Sequence, residues 1–162
     1  MEFFMQDGVP VLAGTGGLSP LSTARIKAAM EREGWAYGVD EDGDVSGGWE
    51  YGTFLFLVTG DQDELLSIRG TWRGELELAD FTKAVELCNA WNADQLWPKT
   101  YARFDEEGAL HIHAEHNVDF EQGVTDGQLS QQLICAVNTA MVFFEHVNEA
   151  FPAVWERFRP EE

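Results

Sequence analysis

The sequence predicts an α+β domain in which helices pack on an antiparallel sheet, in the order α-β-β-β-α-β-β-α. Three observations carry that prediction. The apolar period is helical over 19–33, alternating over 35–72, helical over 78–94, alternating over 99–118 and helical again over 125–151. Turn signals at DEDGD (40–44), GDQD (60–63) and DEEG (105–108) separate the alternating stretches. Connections this short join antiparallel neighbours. A chain of 162 residues, 44 % of them hydrophobic, fits one domain, whereas two halves would each have a poor core.

Residues 1–18 carry four glycines and a proline without a clear period, and read as a loose arm or a short extra strand. The domain proper spans 19–152. Ser19 or Ser22 can cap the first helix, Pro20 suits a first-turn position, and Gly34 is placed as its left-handed stop. Ile26, Ala29, Met30 and Glu33 recur at helical spacing. Trp35–Val39 and Trp49–Val58 then read as strands. The run Phe54-Leu55-Phe56-Leu57-Val58 is apolar on both faces, which suggests a central strand or a sheet covered on both sides. In Leu65–Trp72, the residues Leu66, Ile68, Gly70 and Trp72 share one face, and Ser67, Arg69 and Thr71 the other.

Helix returns over Leu78–Asp94, with Asp80 as a candidate cap and Phe81, Ala84, Val85, Cys88 and Trp91 on one stripe. Pro98 ends it. Lys99–Phe104 and Ala109–Val118 form a hairpin across DEEG. Thr125-Asp126-Gly127-Gln128 is a T-x-x-Q capping box that opens the longest helix, whose stripe runs from Leu129 to Phe151. Residues 153–162 form a tail, with a short terminal turn carrying Trp155 and Phe158.

Against 29 Asp+Glu stand only 10 Lys+Arg, a formal net charge of −19. Nucleic acid and anionic membrane surfaces repel such a chain, because binding there needs clustered Lys and Arg, and no such cluster is visible along the sequence. No stretch reaches the roughly 20 apolar residues of a membrane span. The N-terminal patches lack a basic region and are interrupted by Asp7, Gly8 and Pro10, which does not fit a signal peptide. Cys88 and Cys135 lie among apolar residues with no zinc or redox spacing, as in a reduced cytoplasmic protein.

HIHAEH (111–116) concentrates three of the four histidines. Strand alternation sends Leu110, Ile112, Ala114 and His116 inward and leaves His111, His113 and Glu115 on the other face, with about 7 Å between i and i+2 positions. Two imidazoles and a carboxylate suit zinc or iron, so these three are the candidate metal ligands. A solvent-facing or interface strand explains them with fewer demands. DEDGD fails as an EF-hand, because positions six and twelve counted from Asp40 are Val45 and Tyr51 rather than Gly and Glu. A turn built on Asp-Gly accounts for it. No nucleophile elbow, P-loop or dinucleotide motif occurs, and GTGG at 14–17 is not followed by a strand–helix unit. No catalytic residue and no cofactor are therefore assigned.

In NAWNADQLWPKTY (89–101), Trp91 can anchor the helix face, Asn92 can satisfy carbonyls at the helix end, and Pro98 sets the entry of the next strand. Trp91 and Trp97 are also candidates for a ligand-binding role. Asn89-x-Trp91-Asn92, Trp97-Pro98-Lys99-x-Tyr101 and Gly123-Val124-Thr125-Asp126-x-Gln128-Leu129 together resemble the signature of the YbjN family, and the likeness runs over roughly residues 20–151. The resemblance implies an α+β fold similar to type III secretion chaperones. It also implies a role in sensory transduction or regulation, no enzyme activity or cofactor, and structural duties for the signature residues. Relatives of that fold often dimerise and hold a partner segment.

The expected function is thus a cytoplasmic, non-enzymatic module, homodimeric, that binds a protein partner. Ser67, Arg69, Thr71, His111, His113 and Glu115 form the candidate contact surface. A metal enzyme or sensor on His111, His113 and Glu115 is the competing expectation.

Overall fold

In the computed structural model, which describes residues 3–6, 9–12 and 17–161, Ser22 rather than Ser19 caps the first helix. Its Oγ accepts from the Arg25 amide at the start of α1 (Thr23–Arg32), and Gly34 follows the helix with φ +72°. Within the N-terminal arm, strands β1 (Phe3–Gln6) and β2 (Val9–Leu12) pair with each other as a separate antiparallel sheet. The remainder of the arm up to Gly16, including most of GTGG, lies outside the described residues.

Six strands build the main sheet: β3 (Gly38–Val39), β4 (Val45–Gly48), β5 (Gly52–Thr59), β6 (Leu65–Trp72), β7 (Lys99–Phe104) and β8 (Leu110–Asp119). Their order is β3-β4-β5-β6-β8-β7, with every pair antiparallel. This is the α+β architecture the alternating pattern predicts, with two corrections. The strand expected over Trp35–Val39 shrinks to Gly38–Val39, because Trp35 and Tyr37 pack against the core without a ladder partner. The strand expected from Trp49 begins only at Gly52, and a further strand that the pattern did not predict, Val45–Gly48, precedes it. Val45–Gly48 pairs with β5, and Trp49–Tyr51 turns between them, with the Trp49 amide bonded to the Gly52 carbonyl at 2.9 Å. DEDGD closes as a turn in which Asp40 Oδ1 accepts from the amides of Asp42 and Asp44.

A 3₁₀ turn (Leu78–Asp80) leads into α2 (Phe81–Asp94). Asp80 does not cap α2. Its carboxylate instead accepts from the Glu77 amide, closing a capping box on the 3₁₀ turn. α3 (Asp126–Ala150) starts at the predicted capping box, with Thr125 and Gln128 bonded reciprocally at 3.1 Å. α4 (Pro152–Phe158) follows directly.

Apolar burial is one-sided. Phe54 and Phe56 of β5, Leu66, Ile68 and Trp72 of β6, and Leu110, Ile112 and Ala114 of β8 are buried together with Leu129, Leu133, Ala136, Val137, Ala140, Phe143, Phe144 and Val147 of α3. Phe143 is a core residue that the predicted stripe missed. Gly52 lets α3 approach closely. A Cβ there would sit 2.6 Å from the Phe144 ring and 2.8 Å from the Thr71 carbonyl oxygen. Apolar side chains of the opposite parity stay accessible, with Leu55 and Leu65 37 % and 36 % exposed. The apolar run of β5 therefore marks a central strand of a sheet covered on one side, and not a sheet covered on both.

Candidate functional site

The strands carrying the predicted contact residues are neighbours, which no sequence pattern could establish. β6 and β8 align Thr71 with His113, Arg69 with Glu115 and Ser67 with Asn117. β7 lies on the far side of β8 and aligns Lys99 with Glu115, Tyr101 with His113 and Arg103 with His111. Alternation then places Lys99, Tyr101 and Arg103 on the same open face as the candidate residues. Two of the three, Lys99 and Tyr101, belong to the signature that was expected to be structural.

Glu115 is the hub of this face. It is 9 % exposed. Lys99 Nζ donates to its Oε1 at 2.7 Å, as does Asn117 Nδ2 at 2.9 Å, while Tyr101 Oη at 2.7 Å and Arg69 Nε at 3.2 Å donate to its Oε2. Burial alone would raise its pKa. The hydrogen bonds from Asn117, Lys99 and Tyr101 and the Lys99 charge outweigh that and hold it down at about 2. Burial, and then the bond to Glu115, push the Tyr101 phenol up to about 12.

The neighbouring imidazoles are committed in other directions. His113 Nδ1 lies 3.0 Å from Thr71 Oγ1, and its ring packs 5.1 Å from that of Tyr101. His111 Nε2 pairs with Asp105 Oδ2 at 2.8 Å. The three candidate ligands thus share a face without converging on one point. Glu115 already serves two cations, and among the described residues no group of three or more His, Cys, Asp or Glu is arranged to hold a metal ion. Burial, followed by the positive charges of His111, Arg69 and Arg103, lowers the His113 pKa to about 4, against an opposing pull from Glu115.

These two depressed pKa values fix an acid response. For both groups the unfolded chain binds its proton at higher pH than the folded one. Their contribution is therefore complete above the unfolded values and is lost on acidification. Stability should fall from about pH 6.5 to pH 4 through His113, then further towards pH 2 through Glu115, with a slope of at most about 1.4 kcal/mol per pH unit for each proton. Urea midpoints measured across that range on wild type and His113→Asn test this. An unchanged slope between pH 6.5 and 4 in the variant would refute the assignment.

The rest of the signature frames this face from below. Asn92 does not serve the carbonyls at the end of α2. Its Oδ1 accepts from the Thr100 amide and its Nδ2 donates to the Thr100 carbonyl, both at 2.9 Å, which ties the helix to β7. Asn92→Ala leaves both groups unmet beside a buried Thr100, and is expected to cost about 2 kcal/mol in denaturant unfolding. Asn92→Asp, which retains only the acceptor, should fall between. Trp91 packs against Phe143 with ring centroids 5.1 Å apart, as an anchor should. Asn89, in contrast, is exposed. Trp97 is 48 % exposed and stands edge-on to His116, whose Nε2 meets Gln132 Oε1 at 2.7 Å on the helical side. Leu96, Trp97, Pro98 and Lys99 line a depression of about 490 Å³ there.

Gly123, at φ +86°, bends the chain into α3 where a Cβ would lie 3.1 Å from the Ser19 carbonyl oxygen. Asp126 pairs with Arg25 at 2.9 Å, and Arg25 also binds the carbonyls of Ser19, Pro20 and Val124. These residues join α1 to α3. Arg103 is the residue the sequence reading missed, although its place two positions after Tyr101 in an alternating strand was a sufficient signal.

Comparison with known proteins gives a consistent result. Residues 22–149 match the profile of the YbjN family, described as "Putative bacterial sensory transduction regulator". The fold is similar to that of the crystal structure of YbjN, "a putative transcription regulator from E. coli". That likeness has a TM-score of 0.71 at 11 % sequence identity, and covers 82 % of this chain and 96 % of the other. No curated protein matches the sequence. With the family profile spanning all six strands of the main sheet and α1 to α3 but for the last residue of α3, the chain belongs to the YbjN family.

Proposed function

We propose that the chain is a non-catalytic cytoplasmic regulator that engages a protein partner through the open face of its sheet, and that it does so as a homodimer. The observation carrying this reading is the make-up of that face. Leu55, Leu57 and Leu65 lie accessible on it, directly beside the ordered polar cluster around Glu115. An apolar strip rimmed by polar groups is the composition of a protein-binding surface. The family's description favours regulation, and the full occupancy of the Glu115 oxygens leaves that carboxylate no free lone pair for acid–base chemistry. No helix among the described residues is long and apolar enough to cross a membrane, which agrees with a cytoplasmic role.

A photo-crosslinking residue at Leu55, compared with one at the exposed Glu86 of α2, tests the docking face in cell lysate. The same protein captured at 55 and not at 86 is the expected result. Light scattering should give a dimer. A strict monomer without a position-specific adduct would refute the proposal.

A further inference from the structure

Three of the ten Lys and Arg residues, Arg69, Lys99 and Arg103, stand on this one face of a chain whose net charge is −19. Lys99 is spent on Glu115. Arg69 gives Glu115 only its Nε, and among the described residues Arg103 forms no salt bridge. Arg69 and Arg103 both line a pocket of about 370 Å³, together with Tyr101, His111 and His113. That volume is within the range of small-ligand sites. We infer that this pocket binds a small organic anion, a carboxylate or phosphate carried on a flat apolar body, with Arg69 and Arg103 taking the charge and the Tyr101 ring the body.

The chemistry of the lining supports each half. Guanidinium groups fork onto planar anions, and of the two that line this pocket Arg69 is only partly paired, through Nε, while Arg103 forms no salt bridge among the described residues. Of the two acidic residues at the rim, Asp105 is occupied. Its Oδ1 accepts from the amides of Glu107 and Ala109, and its Oδ2 meets His111. Glu106 is the remaining competitor for the arginines. Tyr101 turns its hydroxyl to Glu115, so its ring, and not its phenol, is left to meet a ligand. Burial first, and then the charges of His111, Arg69 and Arg103, lower the His113 pKa against the pull of Glu115, which places both arginines within electrostatic reach of that ring. The pocket lies on the proposed docking face, but its test reads anion binding alone, so its failure would leave the docking proposal standing.

Titration of the full chain with benzoate and with phenyl phosphate, followed by NMR of the His111 and His113 ring protons and by calorimetry, tests the inference. Neutral benzamide serves as the control. At least one anion should bind and shift both histidines. Whichever of the two binds more tightly identifies the carboxylate or the phosphate source. Arg103→Ala, an exposed change, should weaken binding about tenfold. Glu106→Gln should tighten it, and the distant Lys27→Ala should leave it unchanged. Benzamide binding as well as the anions, no binding of either anion, or an Arg103→Ala variant with wild-type affinity would each overturn the inference.

Discussion

Glu115→Ala is expected to destabilise the protein by about 2–3 kcal/mol. Removing one partner of a buried charge cluster leaves the others uncompensated, at a typical cost of about 3–5 kcal/mol. Here the loss is moderated because the side chains of Arg69 and Lys99 retain 38 % and 57 % of their exposure and can turn to water. The half-buried Tyr101 loses the acceptor of its hydroxyl. The variant therefore has a second signature. Burial still raises the Tyr101 pKa, but the contribution of Glu115 disappears, so the phenol should titrate below its present value of about 12. Glu115→Gln keeps an acceptor without the charge and should show a smaller loss of stability. Urea unfolding with an unchanged m-value, together with ultraviolet titration of the tyrosines, measures both effects. An unaltered midpoint with an unaltered phenol would mean that Glu115 is not the hub.

Trp72→Ala should be costlier, at about 3–5 kcal/mol, because truncating a large buried aromatic removes its transfer energy and leaves a void. Trp72 is 1 % exposed on the inner side of β6, beside Phe151, and its Nε1 donates to Asn148 Oδ1 at 2.7 Å. Native domains are stable by only about 5–15 kcal/mol, so the change removes a large share of the total. Trp72→Phe separates the two contributions. It retains most of the packing and strands the Asn148 acceptor, for an expected loss of about 1–2 kcal/mol. Thermal and urea unfolding on the three proteins give the comparison. A loss below about 1 kcal/mol in Trp72→Ala would contradict the burial.

Much of this fold is legible in the sequence, for identifiable reasons. β6 and β7 end where alternation ends, and the helix α3 begins at its capping box, because side-chain period and local hydrogen bonding act over a few residues. β4 was illegible. Val45-Ser46-Gly47-Gly48 contains two glycines, which show no facing pattern, and only its partner β5 makes it a strand. Asn92 was misassigned because its true partner, Thr100, lies beyond Pro98, and a local helix-end rule pointed elsewhere.

The candidate site divides along the same line. Alternation alone separated His111, His113 and Glu115 from the inward set. Their meaning, however, depends on the neighbours that β6 and β7 bring. Arg69, Lys99 and Tyr101 convert a potential ligand triad into a buried carboxylate bound by cations. Arg69 and Glu115 stand 46 residues apart in the chain, and only strand pairing brings the cation to the carboxylate.

The bond pair between Asn92 and Thr100 has one more consequence. β7 is the last strand of the sheet, and its outer rim is where a foreign strand could join. At Thr100 the amide of Asn92 occupies both backbone groups, as a neighbouring strand would. At the opposite rim, β3 offers only two residues. Asn92 therefore blocks a foreign strand at one residue of the β7 edge, and Asn92→Ala would reopen it to β-augmentation.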